Sequence, residues 1–503
     1  MANQTYTNGP DFLVGTDDAD TINALGGADT LVNDGLGADI VFLGTGDDVA
    51  SLTDDMSIDT VFGGDDDDSI DMSTDSIFAA GGDTLGNMAF GGIGNDTILG
   101  NDGADFIGGG ADRDSIIGNG GADTLFGGDN DDTISGGAGN DLIFGGKDSG
   151  VDIVSGDAGN DVIYGGGSAD NLDGGTGDDA VYGGDGNDTV SGGDGADTLG
   201  GGAGVAGGDD LIFGDSGNDV IYGATGADTL FGDNGADSIM GDDGDDSIFG
   251  GADADTLDGG IGADSIFGGS GADNLTGGEG DDALYGGSNA DDLNGGAGDD
   301  VLSGGFFDNA QDFLRGGSGE DEFQFSAATN IRDVIADFDA GNGAAPNLAG
   351  SVQGDFISFL DGTGFGAVNF NAFDSSGDAS GTRLTAFNAN TNADAFGSDY
   401  SEMTLAQFTN AGGAGAGFGT ADNGDGEDNQ IYVLTDNNVS QATVNTMLSA
   451  FVQNSYVVVD TGTNVEVYFD ADWSTAGGRA LVATLDGVND VSNLSVDDFG
   501  VYS

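Results

Sequence analysis

Residues 91–128 read GGIGNDTILGNDGADFIGGGADRDSIIGNGGADTLFGG, and the stretch counts in nines. From Asp96 to Asp300 an Asp returns through 23 consecutive units, and 20 of the 22 steps between them are nine residues long. Two places after each of these Asp stands Ile, Leu or Val, from Ile98, Ile107, Ile116, Leu125 and Ile134 on to Leu302. A strict period of this kind means one structural unit stacked on itself.

The unit is too short for a helix. Its glycine-rich part, GGIGND at 91–96 or GGTGDD at 174–179, suits a turn in which glycine allows positive φ and close backbone approach. The remaining three residues, with the aliphatic one in the middle, suit a short strand that turns one side chain to one face and its neighbours to the other. Two units then make a coil of 18 residues: strand, turn, strand, turn. Stacked coils give two parallel sheets with the Ile/Leu/Val column between them as a thin dry core. The expected fold class is therefore all-β, a parallel β-solenoid.

The composition sets a problem for that stack. The chain of 503 residues carries 92 Asp and Glu against six Lys and Arg, a formal charge of −86. Coils about 4.8 Å apart would bring Asp columns within a few ångströms of one another, and one aliphatic side chain per turn is too little to offset the repulsion and the lost backbone entropy. A cation must lie between the turns. With no His and no Cys, carboxylates and backbone carbonyls offer an all-oxygen environment, which suits Ca²⁺ and excludes ordinary zinc, copper and iron–sulfur sites.

The repeated pattern GGxGxD followed by x-aliphatic-x resembles the RTX calcium-binding nonapeptide. Ten turns match it in full, ending at Asp96, Asp141, Asp179, Asp188, Asp197, Asp264, Asp273, Asp282, Asp300 and Asp321. The resemblance implies a parallel β-roll, with Ca²⁺ held between successive turns by the Asp carboxylate and turn carbonyls, and it gives those ten Asp that role. It extends the same role to the degenerate turns ending at Asp105, Asp114, Asp123, Asp132, Asp161, Asp219, Asp228, Asp237, Asp246 and Asp291.

Around the regular section (91–325) lie two different ends. Residues 1–90 keep the Asp and the aliphatic residue in GTDDADTIN, LGGADTLV and LGTGDDVA while the spacing wanders, as an end cap of a solenoid should. The N-terminus shows neither the basic nor the apolar region of a secretory signal peptide, and no stretch approaches the 18 apolar residues of a membrane span. Residues 326–503 shift to Phe, Asn, Thr and Ala and are expected to form a mixed, mainly β C-terminal region. Within it, 455–474 (SYVVVDTGTNVEVYFDADWS) reads as two alternating strands around a turn. The segments 323–342 and 354–360 resemble the capping region after RTX repeats in type I-secreted proteins. The tail with Asp498-Phe499 resembles an uncleaved type I secretion signal, which implies an extracellular or cell-surface location and the type I apparatus as a partner.

Residue counts also bound the chemistry. Zero His removes the HExxH zinc protease and the Ser-His-Asp hydrolase, and zero Cys removes the thiol nucleophile, so no enzyme activity is expected. The strong acidity argues against nucleic acid as a partner. One feature goes beyond the repeat itself: the residue after the core aliphatic is often aromatic, with an 18-residue rhythm. Phe126, Phe144, Tyr164 and Tyr182 fall on alternate units; after the 13-residue step from Asp197 to Asp210, Phe213, Phe231, Phe249, Phe267 and Tyr285 fall on the other set. Either the stripe changes face there or the insertion rotates the phase. Stacked rings brace neighbouring coils; a continuous exposed row is also what an interface looks like. The reading that accommodates these facts is a secreted, calcium-folded structural protein that self-associates through this aromatic face into a surface layer, sheath or matrix. The alternative is a monomeric calcium-dependent adhesin or ligand-binding module that presents residues 343–430, and a third is an enzyme hidden in the C-terminal third.

Overall fold

A computed structural model describes residues 3–337, apart from 17, 33–36, 53–56, 74–84, 148, 203–206, 306–309 and 327–332. Beyond 337 it describes the strands Phe356–Leu360, Ala386–Asn388, Gln430–Leu434, Ser455–Asp460, Val465–Asp470, Ala480–Leu485 and Phe499–Tyr502. Every described element is a β-strand. The chain divides into two compact units, Met1–Ala252 and Asp253–Ser503.

In the first unit the chain winds alternately through two parallel sheets, and each strand pairs with the strand two elements on. In the first sheet Phe106–Ala111 pairs with Thr124–Asp129 and that with Leu142–Gly146, which sets Ile107 beside Leu125 and Leu125 beside Ile143. In the second, Thr97–Leu99, Ser115–Gly120 and Thr133–Ala138 set Ile98, Ile116 and Ile134 in one column. The coil of 18 residues is thus the observed repeat. The aliphatic residues from Ile98 to Ile248 all lie inside at 1% exposure or less. Burial of each one contributes on the order of 1.5–3 kcal/mol.

The same winding runs through residues 3–72, where the nine-residue spacing fails. Asn3–Thr5, Thr21–Asn23, Ile40–Thr45, Thr60–Asp65 and Met88–Ile93 pair in succession and place Ile22, Val41, Val61 and Ala89 in the core column. Irregular spacing is confined to one edge. Turns that leave the first sheet keep seven residues from aliphatic to Asp, as in Ile22 to Asp29, Val41 to Asp48, Val61 to Asp68 and Ala89 to Asp96. Turns that return to it lengthen to eight, nine and seventeen, in Leu31 to Asp39, Ala50 to Asp59 and Ile70 to Asn87. The core is also thicker here. Ala24, Leu43, Leu52 and Met72, all at 2% exposure or less, fill an inward position that is glycine in later coils.

The insertion before Asp210 leaves the winding intact. Ser191 registers with Phe213 in the second sheet, and Gly200 with Tyr222 in the first. The aromatic stripe therefore changes sheet, which decides between the two possibilities left by the sequence.

In the second unit Thr256–Ile261, Asn274–Glu279, Asp292–Ala297, Phe313–Ser318 and Asp333–Ile335 form one parallel set. Ser265–Ser270, Ala283–Ser288, Val301–Ser303 and Glu322–Ser326 form the other. The sets continue into distant chain, since Asp333–Ile335 pairs in parallel with Ala480–Leu485 and Glu322–Ser326 with Phe356–Leu360. The two strands expected in 455–474 are present as the antiparallel pair Ser455–Asp460 and Val465–Asp470. Most of 343–430 and Asp498 of the proposed export signal lie outside the described residues.

Candidate metal site

All twenty Asp singled out by the sequence are buried, at 0–4% exposure. Each sits at the start of a strand and reaches back one coil. The N–H of Asp96 donates to Oδ1 of Asp114 at 2.8 Å, that of Asp105 to Asp123 at 2.7 Å, that of Asp114 to Asp132 at 2.8 Å, and that of Asp123 to Asp141 at 2.7 Å. The same bond ties Asp141 to Asp161, Asp161 to Asp179, Asp170 to Asp188, and Asp179 to Asp197. Further along it ties Asp197 to Asp219, Asp210 to Asp228, Asp219 to Asp237 and Asp228 to Asp246. In the second unit it ties Asp255 to Asp273, Asp264 to Asp282, Asp273 to Asp291, Asp282 to Asp300 and Asp300 to Asp321.

This ladder uses one carboxylate oxygen. The other, Oδ2, is sealed from solvent and accepts no hydrogen bond in Asp96, Asp114, Asp123, Asp141, Asp161, Asp179, Asp188, Asp197, Asp219, Asp228, Asp273, Asp282 and Asp300. A buried anionic oxygen with no donor is costly. Asn87 shows that the ladder alone does not require it, because its amide oxygen accepts the N–H of Asp59 at 2.8 Å from the same position. An amide would cap every coil without a buried charge. The carboxylate must answer to something else.

The glycines show what surrounds that oxygen. A Cβ on Gly91 would lie 2.2 Å from Asp96 Oδ2 and 2.6 Å from the Gly109 carbonyl oxygen; on Gly183 it would lie 2.2 Å from Asp188 Oδ2 and 2.5 Å from the Gly201 carbonyl oxygen. The first glycine of the motif is therefore bare because carboxylate and carbonyl oxygens of adjacent coils crowd its Cα. The second adopts positive φ, 122° at Gly92, which strains any L side chain. Among the described residues no group of three or more His, Cys, Asp and Glu comes together. Carboxylates arrive one per turn, so a cation here would draw its remaining ligands from backbone carbonyls. The residues fit a hard, oxygen-loving ion such as Ca²⁺.

Electrostatics agree with the geometry. Burial, and then the charges of neighbouring Asp, push the carboxyls of Asp114 and Asp123 up to about 8, against the opposing effect of the ladder hydrogen bond. The same causes raise Asp161, Asp210, Asp219 and Asp300 to about 7. Burial likewise raises Asp96, Asp188 and Asp228 to about 6, with other Asp adding a smaller push. Without a positive charge nearby, Asp114 and Asp123 favour protons at neutral pH.

The structure adds residues to the twenty, some within the run of nines and some outside it. Asp29, Asp39, Asp48, Asp59, Asp68, Asp152, Asp170, Asp210, Asp255, Asp312 and Asp333 are buried in the same position. Their signal was present: an aliphatic residue or Ala two places on, as in Asp48 and Ala50 or Asp312 and Leu314. Two members differ. Asp105 Oδ2 accepts the Asn101 N–H at 2.7 Å, and Asp20 Oδ2 accepts the N–H and hydroxyl of Thr16 at 2.9 and 2.6 Å.

Outside the core run two aromatic stacks. Phe42, Phe62 and Phe90 lead through Phe106 to Phe126, Phe144, Tyr164 and Tyr182 on the first sheet, with centroids 5.0–5.8 Å apart. Phe213, Phe231 and Phe249 stack on the second sheet of the first unit, and Phe267 with Tyr285 in the second unit. From Phe126 to Tyr182 the planes lie within 17° of parallel, so interior rings cover one another's faces and turn their edges outward.

A family model described as the RTX calcium-binding nonapeptide repeat (4 copies) matches residues 5–35, 81–116, 117–151, 148–181, 173–205, 206–239, 231–266, 267–302 and 276–311, just over half of the chain. The chain belongs to the RTX calcium-binding repeat family. Calcium is accordingly the ion that its oxygen-lined turns take. No curated protein matches the chain. No described helix is long and apolar enough to cross a membrane.

Proposed function

We propose that this RTX protein is an exported structural protein that folds on extracellular calcium and assembles with copies of itself into a surface layer, sheath or matrix. The observation that carries the calcium part is the buried Oδ2 left without a donor at turn after turn. When bound, calcium supplies the positive charge that lets these carboxylates stay ionised inside the stack. The chain's own residues do the rest: Asp Oδ1 holds each coil to the one before, glycine keeps the cradle open, and the aliphatic column excludes water. The Asp of the regular turns are the proposed ligands, with residues 326–503 as the export region that the type I apparatus reads. In a cytosol poor in calcium the −86 chain stays expanded; outside, binding free energy becomes folding free energy.

Self-association rests on the aromatic stacks. Interior rings have both faces covered by neighbours, so a sugar has no ring face to lie on, whereas a row of ring edges suits packing against another protein surface. Light scattering and electron microscopy on purified protein, with calcium raised from chelator to about 10 mM, test the proposal. Ordered sheets or filaments that grow with calcium support it. A folded protein that stays monomeric throughout removes self-assembly and leaves the calcium-dependent fold.

A further inference from the structure

The turns of the early coils are not equivalent. On the edge that leaves the first sheet, Asp29, Asp48, Asp68, Asp96 and Asp114 each bury an Oδ2 that accepts no hydrogen bond. At Asp20 and Asp105 the protein itself closes the position, as Thr7 closes Asp11 on the other edge. Thr16 satisfies Asp20 Oδ2 through its N–H and its hydroxyl. Asn87 brings a neutral amide in place of a carboxylate, after a turn that begins with buried Met72 where later coils have glycine.

The turn at 100–105, GNDGAD, is the fully described case. Asn101 is 6% exposed. Its N–H donates to Asp105 Oδ2 at 2.7 Å, its Oδ1 accepts the Gly103 N–H at 2.6 Å, and its Nδ2 donates to the Leu85 carbonyl at 3.1 Å. It also stays out of the left-handed region that Asn119 adopts at φ 74° in the next turn. The backbone has thus turned a donor toward the carboxylate that elsewhere lacks one, and the side chain is fully engaged in holding that arrangement. The Asp105 carboxylate is hydrogen-bonded on both oxygens, to Asn87 N–H at 2.5 Å and to Asn101 N–H, so neither oxygen is left without a donor.

We propose that the turn ending at Asp105 is closed by protein donors and takes no calcium, unlike the turns ending at Asp96 and Asp114 on either side of it. The next turn on the same edge, ending at Asp123, again buries an Oδ2 that accepts no hydrogen bond. This rests on the calcium reading above.

Native mass spectrometry of the full chain in saturating calcium counts the ions bound. Asp114→Ser should lose at least one ion, Asp105→Ser should lose none, and Asn101→Gly, which recreates the GGDGAD turn of 192–197, should gain one. Equal losses for Asp105→Ser and Asp114→Ser overturn the proposal. Should Asp105→Ser fail to fold, an unchanged ion count in Asn101→Gly overturns it instead. A wild-type chain that binds no calcium would refute the calcium reading itself, a separate outcome.

Discussion

At the scale of one residue, each motif Asp does two jobs with two oxygens. Asp188 accepts the Asp170 N–H at 2.8 Å through Oδ1 and leaves Oδ2 in the glycine cradle. Asp188→Asn keeps the first job and removes the buried charge. In chelator at pH 8 it should therefore melt higher than wild type, by the equivalent of about 1–3 kcal/mol, and in calcium it should melt lower. A variant that melts like wild type in both conditions would mean that the carboxylate serves the ladder alone. Gly183→Ala attacks the same site from the other side. Its Cβ would meet Asp188 Oδ2 at 2.2 Å, so local calcium affinity should fall while distant coils remain folded, as hydrogen exchange would report.

At the scale of the strand and its neighbours, stability is close to a sum over adjacent coils. Ile163 is fully buried between Ile143 and Val181. Ile163→Ala should cost about 2–5 kcal/mol and expose amides in the adjoining coils first; uniform loss of protection along the whole unit would contradict that locality. The outer column separates two further roles. Phe144 and Tyr164 stack at 5.2 Å with planes 9° apart. Replacing both by Ser should abolish assembly and leave calcium-driven folding intact where the stack is an interface. A lower melting temperature with assembly unchanged would identify bracing as its whole function.

At the scale of the molecule, the charge of −86 makes calcium and protons competitors. Folding raises the carboxyls of Asp114 and Asp123 from the ordinary 3.8 to about 8, and those of Asp161 and Asp300 to about 7. The folded state without metal then binds more protons than the unfolded chain. Its stability is highest at acid pH, falls as pH rises from the ordinary 3.8 to the raised values of about 7 to 8, and levels off above them. Calcium affinity should rise with pH across the same window, because the ion requires the ionised carboxylate. Melting curves in chelator at pH 5 and pH 8.5, repeated in calcium, check both signs. Greater stability at pH 8.5 in chelator would show that burial does not raise these groups.

The period of nine, the aliphatic residue two places after Asp and the missing His and Cys determined the parallel coil, its core column and an all-oxygen metal chemistry. These are consequences of alternation along a strand and of ligand type, both local. The early coils were less legible because the reading leaned on spacing, whereas the surviving signal was the Asp–x–aliphatic triplet; Asp48 and Ala50 keep it where the count fails. Only the tertiary structure decided which edge absorbs the irregular turns, that the aromatic stripe changes sheet at Phe213, and that Asp105 and Asp20 are closed by Asn101 and Thr16. Each of those depends on which donor a folded backbone turns toward a carboxylate, or on which strand lies beside which, and neither is written in the spacing of residues along the chain.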